Sequence, residues 1–143
     1  MSRRQPRAVL FDRDGTLVVD VPYNAEPARV QPVPTAAAAL ARLRQAGVPT
    51  AVVSNQSGIA CGLLTRAQVD AVNTRLVQLL GDLGPVLVCP HGEHDGCPCR
   101  KPRPGLVLQA ATARTAGPVT STSPSLSRRT TRAVLTAVRP AAE

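Results

Sequence analysis

Aromatic residues and long apolar runs are both scarce in this chain. Phe11 and Tyr23 are the aromatic residues among 143, so a hydrophobic core has to be aliphatic. The basic N-terminus contains an apolar run only at residues 8–11. A signal peptide needs about 7–15 apolar residues there and a membrane span about 20. We therefore expect a cytoplasmic protein with no membrane partner.

Carboxylates are missing from the C-terminal part of the chain. Residues 1–99 carry nine arginines against eight carboxylates, whereas residues 100–143 carry eight basic residues against Glu143 alone. A basic tail can bind nucleic acid, but this one has neither an aromatic residue for base stacking nor an amphipathic helix, so its composition argues against that partner. Ten of the twenty residues from 112 to 131 are Ser or Thr. We expect a folded domain over 1–111 and a low-complexity basic tail over 112–143, with a brief helix near 130–143.

Three apolar runs alternate with two helical patterns before that tail. The runs at 8–11, 48–55 and 85–89 predict buried parallel strands. Residues 35–47 predict a helix that Thr35 caps and Gly47 ends. Thr65 with Gln68 forms a capping-box pattern at the start of the second helix. Its predicted buried stripe comprises Val69, Val72, Leu76, Leu79 and Leu80.

The order strand, helix, strand, helix, strand predicts a parallel sheet with right-handed crossovers. Ligands bind such sheets outside the carboxyl ends of the strands. Three polar clusters follow the three strands: Asp12 and Asp14, then Ser54 and Asn55, then Arg100 and Lys101. Because these clusters should converge on one rim of the sheet, we expect the functional site there.

The segment "DRDGT", residues 12–16, places two carboxylates at i and i+2 beyond a strand. One carboxylate can attack phosphorus while the other moves a proton, and both can share Mg²⁺, which shields the approach of two anions. Lys101, the only lysine in the chain, suits the role of a nearby cation. The alternative is a capped turn with two solvated aspartates, and simple turn chemistry also explains "SNQSG" at 54–58.

The loop 89–101 contains three cysteines and two histidines. Cys89, His91, Cys97 and Cys99 make a Cys₃His set suited to a structural Zn²⁺, with His94 as a possible substitute for His91. Unliganded thiols are the alternative, and a reducing compartment disfavours disulfides. A bound zinc would close this loop and hold its basic pair at the rim.

Taken together, "FDRDGTL", "SNQSGIA" and "CPH…C-x-CRKPRPG" resemble the haloacid-dehalogenase-like (HAD-like) phosphatases, over roughly residues 8–110. More narrowly, they resemble the D-glycero-D-manno-heptose 1,7-bisphosphate 7-phosphatases and their histidinol-phosphatase relatives. The resemblance implies a Rossmann-like three-layer sandwich with a parallel sheet, incomplete at its C-terminal end. It also implies a Mg²⁺-dependent phosphatase that acts on a small phosphate ester, a sugar bisphosphate. We expect the chain to be a monomer.

The resemblance also implies roles for individual residues. Asp12 would be the nucleophile and Asp14 the general acid/base, both binding Mg²⁺. Ser54 and Lys101 would steady the phosphoryl group, Arg100 would recognise the sugar phosphate, and the Cys₃His set would bind Zn²⁺. The implied substrate-binding residues are Asp20, Tyr23, Ser54, Asn55, Gln56, Ser57, Arg100 and Lys101.

Two departures from the family pattern stand out. Cys61 replaces the arginine usual in "GIARG", and no Asp or Glu lies between Gly96 and Ala142, where the family has a Gly-Asp…Asp loop that completes the Mg²⁺ site. We therefore expect impaired activity. The alternatives are a non-catalytic, zinc-bearing remnant of the family and, on the basic tail alone, a nucleic-acid-binding zinc module.

Overall fold

The three predicted strands form one parallel sheet in the computed structural model, which describes residues 6–115. The strands are β1 (Val9–Phe11), β2 (Thr50–Asn55) and β3 (Val86–Cys89), in the order β1-β2-β3. Val9 lies opposite Thr50, and Asn55 lies opposite Cys89. This register aligns the carboxyl ends of the strands, so the segments that follow them leave from the same edge.

Two helices cover one face of the sheet and a third covers the other. Helices α1 (Ala36–Gln45) and α2 (Arg66–Leu80) pack on the face that includes Phe11 and Val52. Helix α3 (Gly105–Thr115) packs through Leu106 and Ala110 on the opposite face. The described residues therefore form three layers, as the sequence predicts. No helix within 6–115 is long and apolar enough to cross a membrane.

The helix boundaries confirm one capping prediction and correct another. Thr65 accepts a bond from the Gln68 backbone, and Gln68 returns one to the Thr65 backbone, which completes the predicted capping box. Thr35 occupies the N-cap position of α1, but its backbone is helical and its side chain makes no capping bond. A cap normally requires an extended backbone at that residue, so the prediction for Thr35 was wrong.

The apolar pattern of α2 is confirmed except at one position. Val69, Val72, Leu76 and Leu80 are buried, but Leu79 is 38% exposed. The remaining buried position on this face of α2 is occupied by a polar residue, Asn73. Helix α3 was not predicted, and it runs four residues past the expected boundary at Ala111. The division of the chain at that boundary remains a prediction, and the expected helix near 130–143 lies outside the described residues.

Candidate functional site

The carboxylate of Asp12 and the ammonium group of Lys101 meet at the rim of the sheet. Lys101 Nζ lies 3.0 Å from Asp12 Oδ1 and donates a 2.8 Å bond to the carbonyl of Val53. The Arg13 backbone N–H also donates to Asp12 Oδ1, at 2.8 Å. Asp12 keeps 51% of its side chain exposed, so it combines a fixed cationic partner with open access from solvent.

Asp14 lies deeper than Asp12 and is held by two side chains. Arg13 Nε donates to Asp14 Oδ1 at 3.0 Å, and Arg13 Nη2 donates to Oδ2 at 3.2 Å. Gln56 Nε2 adds a third bond to Oδ2, at 2.9 Å. A forked arginine–carboxylate pair fixes the plane of the carboxylate as well as its position. Asp14 is therefore oriented before any ligand arrives.

Arg13 and Asn73 form a buried link that the sequence analysis missed. Arg13 is 2% exposed, and its Nη1 donates a 2.8 Å bond to Asn73 Oδ1 on helix α2. A buried guanidinium needs partners for its donors, and Asp14 and Asn73 supply them. The sequence did contain a signal for this link. Asn73 is a polar residue on the apolar stripe of α2, and a polar residue buried there needs a polar partner.

Ser54 and Gln56 connect the end of β2 to the aspartates. Gln56 Nε2 bonds to Ser54 Oγ at 2.8 Å as well as to Asp14. Ser54 is 1% exposed and Gln56 is also buried, whereas Ser57 is half-buried in the following turn. The structure thus brings Ser54 and Gln56 to the predicted rim, but it leaves Ser54 little surface for a ligand in this conformation.

Asn55 and Arg100 have different surroundings at the same rim. The side chain of Asn55 bonds to both backbone groups of Lys101, at 3.0 and 3.1 Å. Arg100 Nη1 is the buried side-chain atom within 6–115 that has no hydrogen-bond partner. An unpaired buried guanidinium donor is costly, so an anion that reaches Arg100 would be favoured.

Tyr23 and Asp20 belong to the loop between β1 and α1. The Tyr23 ring lies against Gly58, where an added Cβ would come within 2.8 Å of Tyr23 Cδ1 and 2.9 Å of Leu64 Cδ1. Only glycine fits there without a shift of these side chains. Tyr23 is therefore next to the turn after β2, still 55% exposed. Asp20 is exposed, and the hydrogen bonds of residues 6–115 do not tie it to the rim.

The predicted Cys₃His set is assembled. One ligand atom from each of Cys89, His91, Cys97 and Cys99 lies within 4.8 Å of all the others. The Sγ atoms of Cys89 and Cys97 are 3.7 Å apart, and Cys99 Sγ lies 3.2 Å from His91 Nδ1. Tetrahedral Zn²⁺ with Zn–S bonds of about 2.3 Å requires sulfur atoms about 3.8 Å apart. The Cys89–Cys97 distance matches this spacing, whereas Cys89 Sγ and Cys99 Sγ lie closer together, at 3.1 Å. The four residues are the type and number of ligands that Zn²⁺ takes, and His94 lies exposed outside the group.

Two thiols of the cluster have pKa values shifted in opposite directions. None of the four cysteines forms a disulfide. Burial raises the pKa of Cys97, but hydrogen bonds from the backbone of Arg100 and Cys99 and from neighbouring thiols outweigh it and lower the pKa to about 6. Burial, followed by the hydrogen bonds and charges of Cys89 and Cys97, raises the pKa of Cys99 to about 12. Cys61 is exposed and lies outside the cluster.

Hydrogen bonds fasten the cysteine loop to the rim and to the residues that follow it. The Gln56 N–H donates to the Cys89 carbonyl at 2.8 Å, and Arg103 Nη1 donates to the Cys97 carbonyl at 2.7 Å. Lys101 follows Cys99 by two residues and is bonded to Asn55. The cluster and the carboxylates are therefore neighbouring parts of one structure.

No protein-family model matches the chain, but individual relatives do. The D-glycero-beta-D-manno-heptose-1,7-bisphosphate 7-phosphatase of Pseudomonas aeruginosa is 42% identical over 106 residues, which are 71% of this chain and 60% of that protein. The protein of the same name from Pasteurella multocida is 36% identical over 80% of this chain and 68% of its own length. The chain spans 52–63% of the length of the first four curated relatives.

Two solved structures agree with these relatives. The D,D-heptose 1,7-bisphosphate phosphatase of B. bronchiseptica, complexed with magnesium and phosphate, has a TM-score of 0.66 and 34% identity over 78% of this chain and 65% of that one. A protein from Mesorhizobium loti assigned as a HAD-like phosphatase has a TM-score of 0.67 and 36% identity over 78% of this chain and 61% of that one. With the sequence motifs, the three-layer fold and the assembled rim all in agreement, the chain belongs to the D-glycero-D-manno-heptose 1,7-bisphosphate 7-phosphatase family of HAD-like phosphatases.

Proposed function

We propose that this chain is a Mg²⁺-dependent phosphatase that hydrolyses a sugar bisphosphate, D-glycero-D-manno-heptose 1,7-bisphosphate, through an aspartyl-phosphate intermediate. The observation that carries the proposal is the exposed Asp12 carboxylate, held 3.0 Å from Lys101 Nζ and close in sequence to the oriented Asp14. The relatives' names supply the substrate, and the magnesium bound to the B. bronchiseptica protein supports the cofactor.

Asp12 is the nucleophile in this mechanism. Its two contacts from the described residues fall on Oδ1, so Oδ2 is available to attack phosphorus. The attack forms an acyl phosphate and breaks the ester P–O bond, while Asp14, which enters the reaction protonated, gives its proton to the leaving alcohol and becomes a carboxylate. Water then attacks the acyl phosphate and passes a proton to the Asp14 carboxylate, which releases phosphate and restores Asp12.

Cations lower the electrostatic barrier to this attack. Lys101 offsets the charge of Asp12 and of the phosphoryl oxygens, because its ammonium group is fixed at the rim. The oxygen atoms of Asp12 and Asp14 are hard ligands of the kind that Mg²⁺ prefers, and these two residues would hold the ion. When bound, Mg²⁺ supplies further shielding between the carboxylate and the anionic substrate.

The remaining residues serve recognition and support. Arg100 binds the second phosphate of the substrate through its guanidinium group, whose Nη1 has no hydrogen-bond partner. Asp20, Tyr23, Gln56 and Ser57 line the sugar site, since Tyr23 lies against the turn after β2. Cys89, His91, Cys97 and Cys99 hold a structural Zn²⁺, because four protein ligands leave no open coordination position.

The shortage of carboxylates after Gly96 limits the activity that we propose. Asp12 and Asp14 would hold Mg²⁺ together with waters and substrate, but without the carboxylate that the family's Gly-Asp…Asp loop adds, so the ion should bind more weakly. Each 1.36 kcal/mol of lost transition-state stabilisation lowers the rate by about tenfold. We expect slow turnover that requires unusually high Mg²⁺. The second candidate is a zinc-bearing remnant without activity, which the same lack of acidic residues favours.

The test is phosphate release from a panel of sugar bisphosphates and monophosphates, measured across a range of Mg²⁺ concentrations. The parent chain should release phosphate from the heptose bisphosphate, and Asp12→Asn should have no detectable turnover, because an amide neither attacks phosphorus nor binds Mg²⁺ well. Equal turnover in the parent and in Asp12→Asn would refute the proposal by tracing the activity to another residue or to a contaminant. No release at any Mg²⁺ concentration would favour the remnant.

A further inference from the structure

Asn55, the last residue of β2, makes a two-point contact with the backbone of Lys101. Asn55 Oδ1 accepts the Lys101 N–H at 3.0 Å, and Asn55 Nδ2 donates to the Lys101 carbonyl at 3.1 Å. These residues are 46 positions apart in the chain. Both backbone polar groups of Lys101 are thus satisfied by one side chain, an arrangement that fixes the orientation of the peptide as well as its position.

The Lys101 side chain is held by the same strand. Its Nζ donates to the carbonyl of Val53, two residues before Asn55, and also contacts Asp12. A lysine side chain has four flexible bonds and no fixed geometry of its own, so the position of its charge depends on where its backbone is held. Residues 90–104 contain no helix or strand, so this part of the chain gives Lys101 no regular backbone support.

We propose that Asn55 is a positioning residue for Lys101 rather than a ligand of the substrate. Asn55 fixes the Lys101 backbone, and the fixed backbone places Nζ between the Val53 carbonyl and Asp12. This inference rests on the proposed function for the role of Lys101, and it changes the role that the family resemblance gives to Asn55. The side-chain oxygen of Asn55 and one N–H of its Nδ2 are already bonded to Lys101, which leaves them unsuited to holding a sugar hydroxyl.

The composition of the chain makes the contact directly measurable. Lys101 is the only lysine, so selective ¹⁵N-lysine labelling gives one backbone amide signal and one ε-ammonium signal. Amide hydrogen exchange then reports the bond to Asn55, and the ε signal reports the contact with Asp12. Neither measurement requires turnover.

The experiment compares the zinc-loaded parent chain with Asn55→Ala, Asn55→Asp and the control Gln45→Ala, which changes an exposed residue at the end of α1. Exchange of the Lys101 amide should accelerate at least about tenfold in Asn55→Ala and less in Asn55→Asp, which keeps an oxygen acceptor for that N–H. The ε signal should shift in both Asn55 variants, and the control should match the parent. Asn55→Asp also serves if Asn55→Ala fails to fold.

Kinetics with the heptose bisphosphate separate positioning from substrate binding. A positioning residue should lower kcat about tenfold or more with little change in KM, and Asn55→Asp should recover part of the loss. A higher KM at unchanged kcat, with the Lys101 amide still protected, would make Asn55 a substrate ligand and overturn the inference. Faster amide exchange with unaltered kinetics would reduce Asn55 to a structural role and overturn it as well.

Failure of the proposed function would look different from failure of this inference. A parent chain without turnover would refute the phosphatase activity, and the lysine signals would still decide the contact. In that case, a change of both signals in Asn55→Ala supports Asn55 as the residue that positions Lys101. Signals identical to those of the parent overturn it.

Discussion

The cysteine cluster and the aspartate rim are neighbours in the structure, but they are built in different ways. The cluster draws its four ligands from 11 consecutive residues, Cys89 to Cys99. The rim joins groups that lie far apart in sequence, such as Asp12 with Lys101 and Arg13 with Asn73. Most of the cluster lies in a loop without helix or strand, whereas the rim depends on the register of the sheet. Mutations should therefore affect the two regions through different measurable properties.

After the complete loss of turnover expected for Asp12→Asn, the largest loss of activity should come from Asp14→Asn. Loss of proton transfer should lower kcat by roughly 10²–10⁴-fold for sugar phosphates. The loss should be smaller for aryl phosphates, because a phenolate leaves without needing a proton. Steady-state assays on both substrate classes measure the difference.

Thermal unfolding is the control for Asp14→Asn, because an amide at this position would face the donors of Arg13. An equal loss on both substrate classes would contradict the assignment of Asp14 as the acid. It would also show that the rim needs Asp14 for structure instead of proton transfer.

The cluster should respond most to Cys97→Ser. Altering a ligand's supporting partner typically costs about 10–100-fold in metal affinity, so losing a thiolate ligand itself should cost more than about 100-fold. Since binding energy at structural zinc sites is folding energy, the variant should also melt at a lower temperature. Metal analysis and thermal unfolding measure both effects, with the exposed Cys61→Ser as the matched control.

The parent chain should contain about one zinc ion, because one Cys₃His set is present. Freshly purified, unchelated protein without zinc would contradict the assignment. Zinc content in Cys97→Ser as high as in the parent chain would place the metal outside the cluster.

The smallest effect should come from the link between the rim and helix α2. Asn73→Ala leaves the buried Arg13 Nη1 without its acceptor, which should cost about 1–3 kcal/mol of unfolding free energy. Gln78→Ala, at an exposed position of the same helix, should cost much less. Denaturant unfolding measures both. Equal stabilities of these two variants would show that the Arg13–Asn73 bond adds nothing to the rim.

Sequence patterns predicted the local features of this protein well. The three strands, the capping box at Thr65 and the membership of the Cys₃His set all follow from spacing within a few residues. Predictions failed where capping or burial of a residue depends on its surroundings in the folded chain. The backbone of Thr35 is helical and so prevents capping. Leu79 is exposed, whereas the polar Asn73 is buried on the apolar face of α2 and bonds to Arg13. Helix α3 had no polar and apolar alternation strong enough to distinguish it from the low-complexity segment that follows.

The sequence by itself determined the fold class, the family and the residues capable of chemistry, because hydrophobic periodicity and short motifs are written in consecutive positions. Only the tertiary structure decided how those residues are paired. Parallel strands bring their carboxyl ends to one edge, and this places Asn55 against the backbone of Lys101 and the Lys101 ammonium group against Asp12. Hydrogen bonds require donor and acceptor within about 3 Å in a definite direction, and spacing along the chain does not encode such geometry.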